Sequence, residues 1–339
     1  MSIRKTQITA LLDIPFISLI LKYDYFLEGV PRLIHHEKYS IDHVAALPNN
    51  RAVYTTHNEV KIINLHNRVV EYTLTGHKRY INILYVNNNL IATVSEYSLK
   101  IWDLITKNYI YNSQERIGIV HTMLFHDKYL YYDKRNKVIK LDLLTHEEII
   151  YHLDTDKTIK QLFVMANRLI VVNGIINVFN LLTGKLIYTL GKYIKYVKQI
   201  DENNIISSSY YHGNKTYNII TGRSENIFQN ISIAISSILI LPDKRVVVLF
   251  DSGGIFIFEN LNKKQYVLGR CYNSTKHMAV LFDGNIVTSG NENVLRILDP
   301  NTGQHLFTIK SKDATTILIV SDTGQLITTN YNGNLIIWQ

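Results

Sequence analysis

Short apolar runs alternate with polar turns along most of the chain, and one segment shows the pattern most fully. Ser98-Leu99-Lys100-Ile101-Trp102-Asp103-Leu104 places large apolar residues among polar ones and contains Trp-Asp. Alternation with a period of two marks a strand with one buried face. Asn334-Leu335-Ile336-Ile337-Trp338 repeats the segment near the other end of the sequence. With the Trp position as an anchor, a large apolar residue recurs at Ile63, Trp102, Leu141, Phe179, Tyr217, Phe258, Leu298 and Trp338. The intervals are 39, 39, 38, 38, 41, 40 and 40 residues. They sit just below the roughly 40–45 residues of one four-stranded propeller blade.

Each interval has the same internal order. Two apolar runs separated by a turn precede each anchor, as in Ile286-Val287-Thr288-Ser289, Gly290-Asn291-Glu292-Asn293 and Val294-Leu295-Arg296-Ile297-Leu298. The turn residues supply positive φ or local side-chain hydrogen bonds, as hairpins require. A polar turn and one more strand follow, so that Thr183-Gly184-Lys185-Leu186-Ile187-Tyr188 matches Thr302-Gly303-Gln304-His305-Leu306-Phe307. Four short strands per period predict an all-β fold, an eight-bladed β-propeller of four-stranded antiparallel blades. The last repeat stops one residue after its anchor and lacks a fourth strand, which leaves an open sheet edge. Gly29-Val30-Pro31-Arg32-Leu33-Ile34-His35-His36 is spaced like a fourth strand and is expected to supply it, closing the ring. Pro31 is tolerable at such an edge. A seven-bladed ring is the alternative if residues 194–230, the weakest repeat, form no blade.

These residues resemble the WD-repeat family. Repeat two carries Gly76-His77 after an outer strand and Trp102-Asp103 after the third. The resemblance implies a buried hydrogen-bonded set of that His, a Ser or Thr, a turn Asp and the Trp. The sequence departs from it: by residue count, Ala92 stands in the Ser/Thr place and Glu96 in the Asp place. Repeat seven has Thr288 and Glu292 but Leu298 for the Trp, and repeat eight has Thr328, Asn332 and Trp338. The blade cores are therefore expected to rest more on apolar packing than on the polar set. The resemblance covers roughly residues 30–339. The composition and weakened repeats also resemble WD-repeat proteins encoded by large AT-rich DNA viruses.

Residues 1–29 fall outside the repeats. Asp13 to Tyr23 reads as a short amphipathic helix capped by Asp13, with Pro15 near its first turn and Phe16, Leu19, Ile20 and Tyr23 at helical spacing. Three readings stay open: a helix packed on the propeller rim, an adaptor-binding helix, or a degenerate strand echoing Ile101-Trp102-Asp103. The second follows from a resemblance of Ile14, Pro15, Phe16, Leu19, Ile20 and Tyr23 to the opening helix of an F-box, which implies a ubiquitin-ligase adaptor as partner.

Composition narrows the classes of function. One cysteine, Cys271, excludes an internal disulfide framework and a multi-cysteine zinc site, and fits a reducing, intracellular and cytoplasmic setting. The longest apolar stretches, Ala10–Leu21 and Ile231–Leu241, fall short of the roughly 20 residues of a membrane helix. Asp13 and the lack of a small-residue cleavage site argue against a signal peptide. The net charge of +8 would attract nucleic acid or an acidic partner. No dense basic run appears, so a lysine-biased soluble surface accounts for it first.

No enzyme chemistry assembles. Asp251-Ser252-Gly253 and Asp322-Thr323-Gly324 resemble aspartic-protease loops, but the repeat frame puts one between second and third strands and the other between first and second. Gly184-Lys185 lacks the earlier glycine of a phosphate loop, and His35-His36 on a strand point to opposite sides. No catalytic residue, metal or cofactor is expected. The expected function is a non-enzymatic protein–protein interaction scaffold using the face that carries the loops entering each inner strand. Candidate partner-binding residues are Lys78, Arg79 and Tyr80, and further round the ring Lys192, Tyr193, Lys195 and Tyr196, because Arg and Tyr are enriched in binding hot spots. A ubiquitin-ligase substrate receptor and a nucleic-acid binder are the alternatives, the latter because basic residues interleaved with aromatics hold strands by charge and stacking.

Overall fold

The computed structural model describes residues 33–338 except 114–115, 154–156, 229–232, 262, 271–274, 291–292 and 312. The described residues form eight four-stranded antiparallel sheets and no helix. In seven sheets the strands lie side by side in chain order. Blade 2, for example, consists of Ile81–Asn87, Leu90–Ser95, Ser98–Asp103 and Asn108–Asn112. First strands of neighbouring blades touch around the ring, including Ile41–Leu47 of blade 1 against Thr315–Val320 of blade 8. The chain is an eight-bladed β-propeller, and residues 194–230 contribute a complete blade built from Ile194–Gln199, Asn204–Ser209, Gly213–Asn218 and Ser224–Asn226.

All eight anchors lie on third strands and are buried. The reason is geometric: the two faces of each sheet pack on the neighbouring blades, so apolar clusters form between blades. One joins Val53 and Ile62 of blade 1 to Ile91 and Trp102 of blade 2; another joins Ile327 and Ile337 of blade 8 to Ala52 and Ile63 of blade 1.

The turn after the third strand is set by an Asp or Asn in blades 2, 3, 4, 5 and 7. Asp103, Asp142, Asn180, Asn218 and Asp299 each accept the backbone N–H two residues on, at 2.7–3.1 Å, the side chain standing in for a backbone turn. A left-handed residue follows in each case: Lys107, His146, Gly184, Gly222 and Gly303, with φ of 60–73°. In blades 2, 4 and 7 a register shift between third and fourth strands accompanies this turn, the signature of a turn with a bulge.

The ring closes as expected. Leu33–His36 pairs antiparallel with Asn334–Trp338, Leu33 opposite Ile337 and His36 opposite Asn334, and completes blade 8 as its outermost strand. Gly333, at φ 75°, lies where a Cβ would meet the carbonyl oxygens of Tyr39 and Glu37 at 2.4 and 2.7 Å. Only glycine admits that approach. Residues 1–32, including the candidate helix Ile14, Pro15, Phe16, Leu19, Ile20 and Tyr23, lie outside the described residues.

The polar set of blade 2 is more complete than the residue count suggests. Thr93, not Ala92, takes the hydroxyl place: Trp102 Nε1 donates to Thr93 Oγ1 at 2.8 Å, and His77 Nε2 lies 2.8 Å from the same oxygen. Glu96 is not part of the set; it pairs with Arg116 on the surface, and Ser95 and Ser98 meet His77 Nδ1 at 3.0 Å instead. The cause is the hairpin. Two residues separate second and third strands in blade 2, against three in blade 8, where Trp338 donates to Thr328 at 2.9 Å. Counting back ten residues from Trp102, as from Trp338 to Thr328, therefore lands on Ala92, one residue past Thr93. Elsewhere the expected apolar packing holds, as in blade 6, where Phe228 lies 4.3 Å from Phe258 between ring centres.

Candidate interaction face

Strand direction decides which loops share a face. First and third strands run one way and second and fourth the other, so the connectors between blades and the turns between second and third strands emerge together. The remaining turns emerge on the opposite face. Asp251 belongs to the first group and Asp322 to the second, so the two protease-like tripeptides lie on opposite faces of the ring.

The connector face is basic and rich in tyrosine from blade 2 to blade 5. In the connector between blades 1 and 2, Lys78, Arg79 and Tyr80 are all exposed. The Arg79 guanidinium lies 5.9 Å from the ring centre of Tyr97, and Arg116 lies 5.0 Å from it. Cations placed on tyrosine are held by the ring quadrupole and keep their charge toward solvent. Blades 3 and 4 add exposed Arg135, Lys137, Lys157 and Lys160. Cations outnumber carboxylates on this arc even with Glu115, Asp154 and Asp156, which stand in the same connectors outside the described residues.

The second predicted group divides. Lys192 and Tyr193 are exposed in the connector between blades 4 and 5. Tyr193, in the left-handed region at φ 54°, packs edge-on to Tyr211 at 5.2 Å and stacks on His212 at 5.8 Å. Lys195 pairs with Asp251 of blade 6, which also accepts from Ser236, and sits 5.6 Å from the ring centre of Tyr210. Tyr196 is a packing residue: it contacts the apolar cluster between blades 5 and 6, and its hydroxyl accepts from Ile238 N at 3.2 Å. Burial raises its pKa. The Lys78 and Lys192 groups are three blades apart, so they form two stations along one arc rather than one cluster. Sequence reasoning missed Tyr97, Tyr210 and Tyr211, which occupy second-to-third turns; the repeat frame would have found them by asking which turns share a face with the connectors.

Two polar centres lie beneath this face. In blade 2, burial and then the charge of Lys100 push the His77 pKa down to about 4, so the ring is neutral near pH 7. At the closure, Glu37 receives Lys61 Nζ at 2.8 and 3.0 Å and Tyr54 Oη at 2.7 Å, with His35 Nε2 at 2.8 Å. Burial pushes the Glu37 carboxyl up, but its three hydrogen-bonding partners outweigh it and hold the pKa below the usual value. His36 turns the other way, toward Asn334. The described residues hold no group of three His, Cys, Asp or Glu side chains placed for a metal.

The opposite face differs in kind. The residue after each third-strand turn begins is Ile105, Leu144, Leu182 or Ile220 in blades 2 to 5, and all four are exposed.

No family model matches the chain, and no curated protein matches it. Solved structures do. The computationally designed Ika8 protein superposes with a TM-score of 0.76 at 15% identity, over 90% of this chain and 98% of that one. Sqt1 of Saccharomyces cerevisiae superposes with a TM-score of 0.72 at 11% identity, over 90% and 97%. At these identities the likeness is one of fold alone.

Proposed function

We propose that the chain is a non-enzymatic protein-interaction scaffold of WD-repeat type that docks an acidic segment of a partner protein on its connector face, between blades 2 and 5. The observation that carries this reading is the arc itself: Arg79, Arg116 and Lys195 resting on Tyr97 and Tyr210, and Tyr193 packed on Tyr211 and His212. Rigid aromatics beside guanidinium groups are the make-up of binding hot spots, and unlike charge supplies orientation and on-rate. The single cysteine supports a reducing, intracellular setting for this scaffold.

A tagged pull-down read by mass spectrometry tests it, comparing the full chain with Arg79→Glu/Arg135→Glu and with Tyr193→Ala/Tyr211→Ala. Loss of the same partners from both variants supports the face. The exposed aliphatic row on the opposite face favours a second reading, an apolar partner held there. Leu144→Lys/Leu182→Lys would then lose the partners while the connector-face variants keep them. Deletion of residues 1–29 separates both from the ubiquitin-ligase reading: an F-box-type adaptor recovered only with the full chain moves the adaptor helix to the front. Retained binding to oligonucleotides with a steep salt dependence would favour the nucleic-acid reading.

A further inference from the structure

Lys100 of blade 2 is buried to 5% exposure, and its ammonium group pairs with no carboxylate among the described residues. Its neighbours are Asn112 Oδ1 at 2.9 Å and the ring faces of Tyr109 at 4.3 Å and Trp102 at 5.8 Å. Burying a cation without a counter-charge is costly, so the site invites an anion. Space for one is present. A depression of about 260 Å³ opens at this point, lined by Gly76, Lys78, Tyr97, Ser98, Lys100 and Asn112. Gly76 keeps the wall bare: at φ 132° a Cβ would stand 3.7 Å from Lys100 Nζ.

The lining offers donors. Thr93 Oγ1 accepts from Trp102 and lies 2.8 Å from His77 Nε2. On the other side of the ring, Nδ1 lies 3.0 Å from both Ser95 and Ser98 Oγ. Ser98 Oγ lines the depression, 3.4 Å from Ser95 Oγ, and its hydroxyl is free to rotate toward a bound anion. Asn112 gives its oxygen to Lys100 and keeps its NH₂ as a donor. Two ammonium groups, a hydroxyl and an amide converge with no carboxylate among them.

We propose that this depression binds an oxyanion of phosphate size carried on a side chain of the docked partner protein, a phosphorylated residue in the first instance, with Lys100 and Lys78 as its counter-charges. The proposal rests on the connector-face reading and gives it a chemical anchor.

The probe is inorganic phosphate on the full chain, read by Trp102 emission in a Trp338→Phe background, where Trp102 is the only indole. A saturable change is expected at millimolar phosphate. It should weaken at least tenfold in Lys100→Met and several-fold in Lys78→Ala, whose exposed side chain carries no packing. A phosphoserine peptide should compete better than the same peptide with serine. No saturable change, or one that survives Lys78→Ala and Lys100→Met together, overturns the proposal. So does phosphate binding that appears only after Glu115→Gln, because the chain would then supply its own anion. Displacement by a single-stranded oligonucleotide but by no phosphopeptide overturns the ligand class. Phosphate alone scores the pocket and partner capture by Tyr193→Ala/Tyr211→Ala scores the face, so the two readings fail separately.

Discussion

In blade 1 the third strand carries Lys61 opposite Tyr54; in blade 2 it carries Lys100 opposite Thr93. The equivalence extends to the connectors, where Glu37 and His77 each stand four residues before the isoleucine that opens the first strand, Ile41 or Ile81. Three matched backbone positions thus hold Glu–Tyr–Lys in one blade and His–Thr–Lys in the next. In blade 1 the lysine is neutralised inside the protein, and the resulting cluster ties the outermost strand of blade 8 to blade 1. In blade 2 the acid is replaced by a neutral imidazole that serves Thr93 and Trp102, and the lysine is left without a carboxylate among the described residues. One framework therefore serves as a clasp at the closure and as a receptive site beside it.

The largest expected effect breaks the clasp. Glu37→Ala removes the acceptor that Lys61 and Tyr54 share in a largely buried place, and should cost about 2–4 kcal/mol, somewhat below a fully buried pair because Lys61 reaches solvent and keeps Glu59 at 3.5 Å and Tyr54 keeps His35 at 2.8 Å. Chemical denaturation of the purified chain measures it. A loss under about 1 kcal/mol would show that strand pairing alone closes the ring.

Acid separates the two centres next. His77 has a folded pKa of about 4 against an unfolded value of 6.5. Above pH 6.5 the group is neutral in both states and contributes no pH dependence. Between 6.5 and 4 the unfolded chain takes up the proton first, so stability falls as pH falls, by roughly 3 kcal/mol in all; below 4 this group adds nothing more. His43 and His277, also lowered by burial, give a background slope of the same sign. Thermal melts at pH 7 and pH 4.5 should therefore show a smaller acid loss in His77→Gln than in the parent chain. An equal loss in both would mean that His77 titrates normally.

The hydroxyl position sharpens the comparison by extending it to blade 7. Thr93 and Thr288 occupy the same place two residues beyond the anchor's cross-strand partner. Thr93 serves both Trp102 and His77, whereas Thr288 is buried and its hydroxyl has no partner among the described residues. Thr93→Val should cost about 2 kcal/mol, since it strands two buried groups. Thr288→Val should be neutral or stabilise by up to about 1 kcal/mol, since it removes an unsatisfied hydroxyl. Equal costs would show that shape, not hydrogen bonding, decides this position.

The propeller, the eight blades and the closing strand were legible because they rest on a period, and a period survives weak motifs. Leu141 and Leu298 replace the Trp and still mark third strands, since any large apolar residue fills the space between blades. Residue-level roles were less legible. Thr93 was misassigned because a turn shorter by one residue shifts the count but not the cross-strand register. Glu37 lies before the first anchor, where no motif announces it, and its partners Tyr54 and Lys61 are ordinary strand residues until the ring brings His35 beside them. Tyr196 read as a binding residue because sequence separates connector from strand only to within a few positions; it falls two residues inside Ile194–Gln199, on the side facing blade 6. The rest of the basic arc, Arg116, Arg135, Lys137, Lys157 and Lys160, escaped notice for the opposite reason. Its members come one or two per connector, so no run forms in the sequence, and only the common direction of the connectors gathers them.

The smallest effect on stability bears most directly on the difference between the two lysines. Lys61→Met should destabilise by about 2 kcal/mol, because it leaves the Glu37 carboxylate with only Tyr54 and His35 as side-chain partners. Lys100→Met keeps the packed stem against Trp102 and Tyr109 and removes an ammonium group that burial already disfavours, its pKa being lowered by desolvation. That change should leave stability within about 1 kcal/mol of the parent, on the stabilising side. A lysine kept where methionine is at least as stable is kept for something other than folding. If Lys100→Met instead costs as much as Lys61→Met, the ammonium group is satisfied within the chain, blade 2 is a second clasp, and the distinction between the two blades disappears.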